Sequence, residues 1–300
     1  MSTARISVVI VTYECRELVR ECLRALPASL DDVAYQVVAV DNASLDGTAE
    51  TIRREFPSVR VIESPANVGF ARANNLGIAA SGGDLILLLN PDTVPLPGSL
   101  AGVVRFLDAA PQVGIAAPRL VYPDGRDQKT ARAFPTPAAA LFGRRSLLRR
   151  VFPRNRWSRR YLLADIASTT TPYAVDWVSG AALMVRRAAV AAAGGLDEGF
   201  FMHWEDADLC RRVKDAGFQV YAVPSATLIH HEGGSRRGWP PRQIWAFHHG
   251  AFRYYRKHAL RGFARPLAPL VGAALFARAL ALIAAGSLPR ILRTRAASAR

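Results

Sequence analysis

Cysteines are scarce in this 300-residue sequence, and acidic residues are missing from much of its C-terminal part. The three cysteines, Cys15, Cys22 and Cys210, are odd in number and lack paired spacing. This pattern argues against a disulfide framework and fits a reducing cytosol. The N-terminus carries one basic residue before a short apolar run. We therefore interpret that run as a first strand and not as a signal peptide.

Glycine is absent from the segment VIVTYECREL, which follows and includes the end of the first apolar run. A dinucleotide-binding sheet needs a glycine fingerprint at this point, so the sequence excludes a nicotinamide-dependent dehydrogenase. A sugar nucleotidyltransferase would need a Gly-rich basic loop there, and that loop is missing as well.

The basic residues are concentrated in two tracts. The net charge is +15, and residues 142–160 contain eight arginines and no acid. After Glu232 there is no acidic residue, whereas thirteen lysines or arginines follow. Such asymmetry indicates an anionic partner, which could be nucleic acid, an acidic membrane surface or a phosphorylated substrate. For the 142–160 tract, a solvated surface loop is the alternative.

Four apolar runs, at 6–13, 35–42, 58–64 and 84–90, alternate with helix-length segments. The runs lack strict alternation, which is typical of strands that are buried on both faces of a parallel sheet. The sequence therefore predicts an α/β fold with a mostly parallel sheet flanked by helices. Further along, we predict a helix at 203–216 and two short strands within 218–235.

Polar residues follow three of these strands. Thr12 and Glu14 end the first, Asp41 ends the second, and Asn90 and Asp92 follow the fourth. Because ligands of open α/β sheets bind beyond the carboxyl ends of the strands, we expect one crevice there. Paired carboxylates at that edge indicate a nucleotide with its divalent metal. Helix capping is the alternative for both aspartates.

A second acidic group lies in FFMHWEDADLCRR, where Glu205, Asp206 and Asp208 crowd one helical turn. Like charges this close raise the pKa of a carboxyl group, which suits a general base. The alternative is an acidic first turn paired with following basic residues. In LIHHEGGS, one histidine could bind a metal or a phosphate, although a structural histidine is the alternative.

The C-terminal part differs in character from the rest. We predict a catalytic domain at 1–238 and a basic, apolar helical extension at 239–300. The stretch 267–288 is apolar except for Arg278 and is long enough to span a bilayer. Arg278 and the flanking prolines weaken that interpretation, so an interfacial helix is the alternative.

Seven segments, in this order, carry a resemblance: ISVVIVTYE, VVAVDNASLDGT, NVGFARANNLGI, LLLNPDT, VSGAALMVRR, GGLDEGFFMHWEDADLCRRVKDAGF and ATLIHHEGGS. Together they resemble an inverting family 2 glycosyltransferase of the rhamnosyltransferase-like branch. The resemblance covers residues 6 to about 258 and implies a GT-A fold, a nucleotide-sugar donor and Mg2+ or Mn2+.

The resemblance also implies roles for individual residues. Asp206 would be the catalytic base, with Trp204 and Glu205 supporting it on the acceptor side. Asp92 would bind the metal as the last carboxylate of a DXD motif, and His230 would join it. The donor-binding residues would be Thr12, Glu14, Asp41, Asn67, Arg72, Asn75 and Asn90. Asn90 stands where the motif has aspartate, and an amide oxygen binds Mg2+ more weakly than a carboxylate does.

The implied reaction moves a sugar, with rhamnose favoured, to a glycan or a lipid-diphosphate-linked acceptor in cell-surface polysaccharide biosynthesis. We expect a cytoplasmic protein that is peripheral at the inner face of the cell membrane. The alternative is a basic nucleic-acid-binding or membrane-surface protein without transferase activity. We expect no nucleic-acid partner, because the acids at 41, 92 and 205–208 would repel a phosphate backbone.

Overall fold

The computed structural model describes residues 4–136, 169–231 and 240–297, and the side chains as far as residue 285. The arginine tract at 142–160 and the glycines that follow His231 lie outside the described residues. The described strands are β1 Ile6–Thr12, β2 Tyr35–Asp41, β3 Arg60–Glu63, β4 Leu85–Leu89, β5 Thr93–Pro95, β6 Val113–Val121, β7 Ala131–Arg132, β8 Tyr173–Ala174, β9 Trp177–Val178, β10 Ala182–Arg186 and β11 Gln219–His230.

The helices alternate with the strands in the first half and cluster at the end. They are α1 Arg16–Leu30, α2 Thr48–Glu55, α3 Phe70–Ala79, α4 Ser99–Ala109, α5 Arg187–Ala193, α6 Glu205–Asp215, α7 Pro241–His258 and α8 Ala268–Ala297, with a 3-10 helix at Gly262–Leu267 before α8. The predicted helix at 203–216 corresponds to α6.

One mixed sheet organises the described part of the chain, with the strand order β3-β2-β1-β4-β10-β6-β11-β5. Strands β1 to β4 are mutually parallel, and β10 runs antiparallel between β4 and β6. All five residues of β4, Leu85–Leu89, are buried, which explains their uninterrupted apolar run. Burial of each such side chain contributes about 1.5–3 kcal/mol.

Two apolar layers cover the two faces of the sheet. Residues of α1, α2 and α4 form one layer, whereas α3, α5, α6 and α7 contribute to the other. Helix α7, which the sequence places in the C-terminal extension, buries Tyr254 and Tyr255 in this second layer. The packing is therefore continuous from the sheet to α7.

The prediction of two short strands within 218–235 was wrong. Residues Gln219–His230 form one strand, β11, whose pairing with β6 shifts register between Val223 and Thr227. Pro224 lies in this shift. A proline has no N–H to donate to the regular hydrogen bonds between two strands, and the shift in register accommodates it.

Candidate active site

The carboxyl ends of β1, β2 and β4 lie side by side. In the parallel register Thr12 pairs with Asp41, and Ile10 pairs with Leu89, the residue before Asn90. The polar residues that follow these strands therefore meet at one edge of the sheet, as the sequence predicts.

Asp41 is almost fully buried and holds a turn at this edge. Its Oδ1 accepts hydrogen bonds from Thr12 Oγ1 at 2.8 Å and from Ser44 Oγ at 2.6 Å. Its Oδ2 accepts one from the Ser44 backbone N–H at 2.9 Å. Glu14 Oε1 accepts from the Leu45 N–H at 2.8 Å, so Glu14 and Asp41 both fix the loop that carries Leu45. Leu45 lies at the tip of this loop, and its side chain is 93% exposed.

Asn67 belongs to the next loop along this edge. Its Oδ1 accepts from Asn42 Nδ2 and from the Gly69 N–H, both at 3.1 Å. Gly69 has a φ of +88°, and a Cβ there would lie 2.6 Å from the carbonyl oxygen of Phe201. Glycine is therefore required where this loop touches the segment before α6.

Arg72 and Asn75 are directed to the segment that leads toward α6. Asn75 Nδ2 donates to the Leu196 carbonyl at 2.9 Å, and its Oδ1 accepts from the Leu196 N–H at 3.0 Å. Arg72 is exposed, with Nε 3.7 Å from Glu198 Oε2. In the described structure both side chains contact residues 196–198.

Asn90, Asp92 and His230 form a group at the end of β4. Nε2 of His230 lies 3.3 Å from Oδ1 of Asp92, and both side chains are largely buried. Oδ1 of Asn90 and Oδ1 of Asp92 are buried without a hydrogen-bond donor. Buried polar atoms without partners are costly, so this pair of oxygens requires an explanation.

Gln128 fixes the orientation of the His230 ring. Its Nε2 donates to the His230 carbonyl at 2.8 Å, which leaves Oε1 facing Nδ1 of the ring at 2.8 Å. Nδ1–H must then donate, and a neutral ring in this orientation presents the Nε2 lone pair toward Asp92. Nothing in the sequence around DGRDQKT indicated this role for Gln128.

These three acceptors fit a divalent cation. Carboxylate, amide and imidazole groups all bind Mn2+, and the outer hydrogen bond from His230 to Gln128 is typical of a ligating histidine. Among the residues that the structure describes, no three His, Cys, Asp or Glu side chains converge on one point. The protein would therefore supply only part of the coordination shell, and oxygen atoms of the substrate and water would complete it.

Asp206 lies in the first turn of α6, close to the end of β4. Its Oδ2 accepts from the Gly180 N–H at 3.0 Å and its Oδ1 from the Ala207 N–H at 2.8 Å. The neighbouring Ala181 carbonyl accepts from the Asn90 N–H at 2.9 Å, which connects Asp206 to the metal-binding candidates. Burial raises the pKa of Asp206, although the two backbone N–H groups act in the opposite direction.

Glu205 and Trp204 support the same turn. Glu205 is 5% exposed, and its Oε2 is buried without a hydrogen-bond partner. Burial, together with the charge of Asp206, raises the pKa of Glu205 well above its ordinary value. Trp204 packs on Phe247, Tyr254 and Tyr255 of α7.

Asp208, the third acid of the turn, has a structural role. It is fully buried and pairs with Arg212, Lys257 and His258 at 2.7, 2.8 and 2.7 Å. Burial alone would raise its pKa, but hydrogen bonds from His258 and Lys257 outweigh it, so the pKa is lowered. The alternative interpretation, an acidic turn paired with following basic residues, is thus confirmed for Asp208 and Arg212.

Strained backbone flanks the site. Glu14, Ala43, Lys129, His203 and Trp204 are non-glycine residues with φ between +50° and +75°. Each such conformation costs about 1–3 kcal/mol and tends to occur at functional sites. A separate open pocket, lined in part by Arg119, Lys129 and Tyr173, includes none of the candidate catalytic or metal-binding side chains.

Comparisons with known proteins identify the family. A family model for glycosyl transferase family 2 matches residues 7–179. Over 253 residues, the chain is 33% identical to the N-acetylglucosaminyl-diphospho-decaprenol L-rhamnosyltransferase of Mycobacterium tuberculosis, covering 81% of this chain and 80% of that protein. It is 25% identical over 267 residues to the rhamnosyltransferase WbbL of Escherichia coli, covering 86% and 92%.

Solved structures show the same fold. The mannosyltransferase PcManGT from Pyrobaculum calidifontis, in complex with GDP-Man and Mn2+, superimposes with a TM-score of 0.60 at 22% identity, covering 100% of this chain and 81% of that one. GalNAc-T7 with UDP, GalNAc and Mn2+ gives a TM-score of 0.55 at 15% identity, covering 76% and 44%. The predicted GT-A fold is confirmed.

Proposed function

The chain belongs to glycosyltransferase family 2 and is a nucleotide-sugar-dependent glycosyltransferase, and from this premise we propose that it transfers rhamnose to a lipid-diphosphate-linked glycan. Two relatives whose names specify rhamnosyl transfer support the sugar. The acceptor follows the name of the Mycobacterium tuberculosis relative, whose substrate is a diphospho-decaprenol. The product would serve cell-wall or polysaccharide biosynthesis.

The position of Asp206 carries the proposed chemistry. We assign it as the base that takes the proton of the acceptor hydroxyl while the acceptor oxygen bonds to the anomeric carbon. The bond from that carbon to the donor diphosphate breaks on the opposite face, so the configuration inverts. A raised pKa suits this step, because a base works best when its pKa lies near the working pH.

On the donor side, Thr12, Glu14, Asp41 and Asn67 shape the loops that would hold the nucleotide. Arg72 and Asn75 would act with them through the 196–198 segment, and Asn90 from the end of β4. Asp92 and His230 would hold Mg2+ or Mn2+ together with donor oxygens. The bound cation would offset charge that develops on the leaving diphosphate.

On the acceptor side, Trp204 and Glu205 would support the base. Trp204 is held against α7 by three aromatic rings, and its φ of 75° sets the direction in which α6 begins. Because the acceptor is carried on a lipid, the enzyme would work as a cytoplasmic, peripheral protein at the inner face of the membrane.

Substitution of the base tests the proposal. We expect Asp206→Asn to abolish transfer from rhamnose-bearing nucleoside diphosphates while donor affinity, measured by calorimetry with Mn2+, stays close to wild type. Asp215→Asn, on the exposed end of the same helix, is the matched control and should retain transfer. Loss of donor affinity in Asp206→Asn would reassign that residue. Salt-dependent DNA binding without any sugar transfer would favour the nucleic-acid-binding alternative.

A further inference from the structure

The outer face of α8 is apolar along its described length. From Gly262 to Ala285 the chain is long and apolar enough to cross a membrane, yet only 6% of its most apolar window is buried within the protein. The large exposed side chains are Phe263 and Leu267 in the 3-10 helix, Leu270, Leu280 and Leu282 in α8, and Phe276, which is half exposed at the border with α7. Soluble proteins seldom expose a continuous apolar surface of this kind, so it needs a partner.

The inner face of α8 is attached to α7. Val271 and Leu275 pack against the second core layer, and Ala279 is fully buried. The ring of Phe276 meets that of Trp245 at 5.5 Å, and Gly272 allows a close approach to Phe252. These contacts cover one side of the helix between Val271 and Ala279, and they leave the opposite side, which includes Leu270 and Leu280, uncovered.

Arg278 is part of this attachment. Nη1 of Arg278 lies 2.7 Å from Nε2 of His248 on α7. Nδ1 of His248 lies 2.7 Å from the Ile244 carbonyl and donates to it, so Nε2 is free to accept from the guanidinium. Burial lowers the pKa of His248, which favours the neutral ring that this contact requires. The one charge that interrupts the apolar stretch therefore reaches back to α7.

Helix α7 is itself fixed to the catalytic core. Tyr254 and Tyr255 are buried in the second core layer, and Lys257 and Arg253 form ion pairs with Asp197. A spanning α8 that kept its contacts would draw α7 and these charges into hydrocarbon, where unsatisfied polar groups cost several kcal/mol each. The packing therefore favours a helix in the membrane plane over a spanning one.

We propose that α8 lies in the plane of an acidic bilayer surface, with its apolar face in the acyl boundary and α7 above it. Charge supports this partner. Arg256, Arg261 and Arg265 are exposed where α7 joins α8, and no acidic residue follows Glu232. An interfacial helix combines such a basic rim with a buried apolar face about 5–10 Å deep.

This inference deepens the proposed function, because it names the surface at which a lipid-linked acceptor would be met. Binding to vesicles can be measured without any transfer reaction. The full chain is sedimented with vesicles of phosphatidylcholine alone or mixed with phosphatidylglycerol. We expect stronger binding to the mixed vesicles, and equal binding to both would contradict the acidic surface.

Variants of the apolar face test the contact itself. Leu270→Gln combined with Leu280→Gln should weaken vesicle binding at least about tenfold, because two leucine side chains lose their apolar environment. Leu96→Gln, at another partly exposed leucine, is the matched control and should bind like the wild type. Unchanged binding of the double variant would overturn the proposal.

The orientation of α8 is tested with a cysteine added after Arg300 and a membrane-impermeant maleimide. The three native cysteines are buried and should stay unlabelled. An in-plane helix leaves the added thiol reactive on intact vesicles, whereas a spanning helix protects it until detergent is added, which would refute the proposal. Sugar transfer to a water-soluble acceptor separates the two proposals. If the double variant has lost only its membrane contact, it still transfers the sugar to this acceptor. If the proposed function is wrong, even the wild type shows no transfer.

Discussion

Nε2 of His230 lies 3.3 Å from Oδ1 of Asp92, and in the neutral ring the hydrogen bond from Nδ1–H to Gln128 leaves Nε2 as an acceptor that faces the carboxylate oxygen. Two acceptors at this distance repel each other unless a proton or a cation lies between them. The unbonded Oδ1 of Asn90 adds a third acceptor at the same strand end. The group is thus prepared for a positive charge.

Replacement of Asn90 tests whether its amide oxygen belongs to the proposed metal site. We expect Asn90→Asp to tighten Mn2+ binding about tenfold, because a carboxylate binds the cation more strongly than an amide oxygen does. Paramagnetic resonance of free Mn2+, titrated with protein and a nucleoside diphosphate, measures the affinity. Asp92→Asn should weaken binding in the same assay. Equal affinity of Asn90→Asp and the wild type would place residue 90 outside the coordination shell.

Gln128 should control metal binding through the histidine ring. We expect Gln128→Leu to weaken Mn2+ binding about 10–100-fold, because removal of an outer partner leaves the ligating ring unfixed. Gln128→Glu keeps an acceptor for Nδ1–H and should retain most of the affinity. The melting temperature of each variant, recorded without metal, separates this effect from unfolding. A leucine variant that binds Mn2+ like the wild type would show that Gln128 has no role in the site.

The sequence predicted the edge of the sheet well, because its evidence is local. Uninterrupted apolar runs identify β1, β2 and β4 as strands buried on both faces, and the polar residues after them must then share an edge. The acids at 205–208 were also visible as a group, although their separate roles were not. Asp208 is a structural ion-pair partner because Lys257 and His258 reach it from α7.

The remaining features depend on contacts between distant segments, which no local pattern encodes. Gln128 is an ordinary loop residue until β11 brings the His230 carbonyl to its amide. In the sequence, Arg278 only interrupts an apolar stretch, whereas in the structure its side chain contacts His248 of α7. Pro224 suggested a gap between two strands, whereas a register shift absorbs it within β11.

Glu205 should make the stability of the protein depend on pH. Its pKa is raised in the folded state, so between its ordinary and raised values the native protein holds a proton that the unfolded chain releases. The stability that protonated Glu205 contributes is fully present below the ordinary pKa of a glutamate. It is lost as the pH rises from that value to the raised pKa of the folded state. Glu205→Gln removes that titration, so we expect a higher melting temperature than the wild type at about pH 8 and a smaller difference at about pH 5. The exposed Asp215→Asn should leave the profile unchanged, and a parallel shift of Glu205→Gln at all pH values would contradict the assignment.

Lys257 connects α7 to the segment before the proposed base and to α6. Its Nζ lies 2.8 Å from Asp197 Oδ2 and 2.8 Å from Asp208 Oδ1, and Asp208 is fully buried. We expect Lys257→Met to lower the free energy of unfolding by about 3 kcal/mol, because removing one partner of a buried pair leaves an under-compensated charge. Urea unfolding in the absence of lipid measures the change. Arg256→Met, at the exposed neighbouring position, should cost less than about 0.5 kcal/mol.

The stability lost in Lys257→Met should become smaller as pH falls. The pKa of Asp208 is lowered in the folded state, so the stabilising charge of Asp208 is present above the ordinary pKa of an aspartate and disappears in acid. A pH-independent loss would attribute the effect to packing of the lysine stem rather than to its charge.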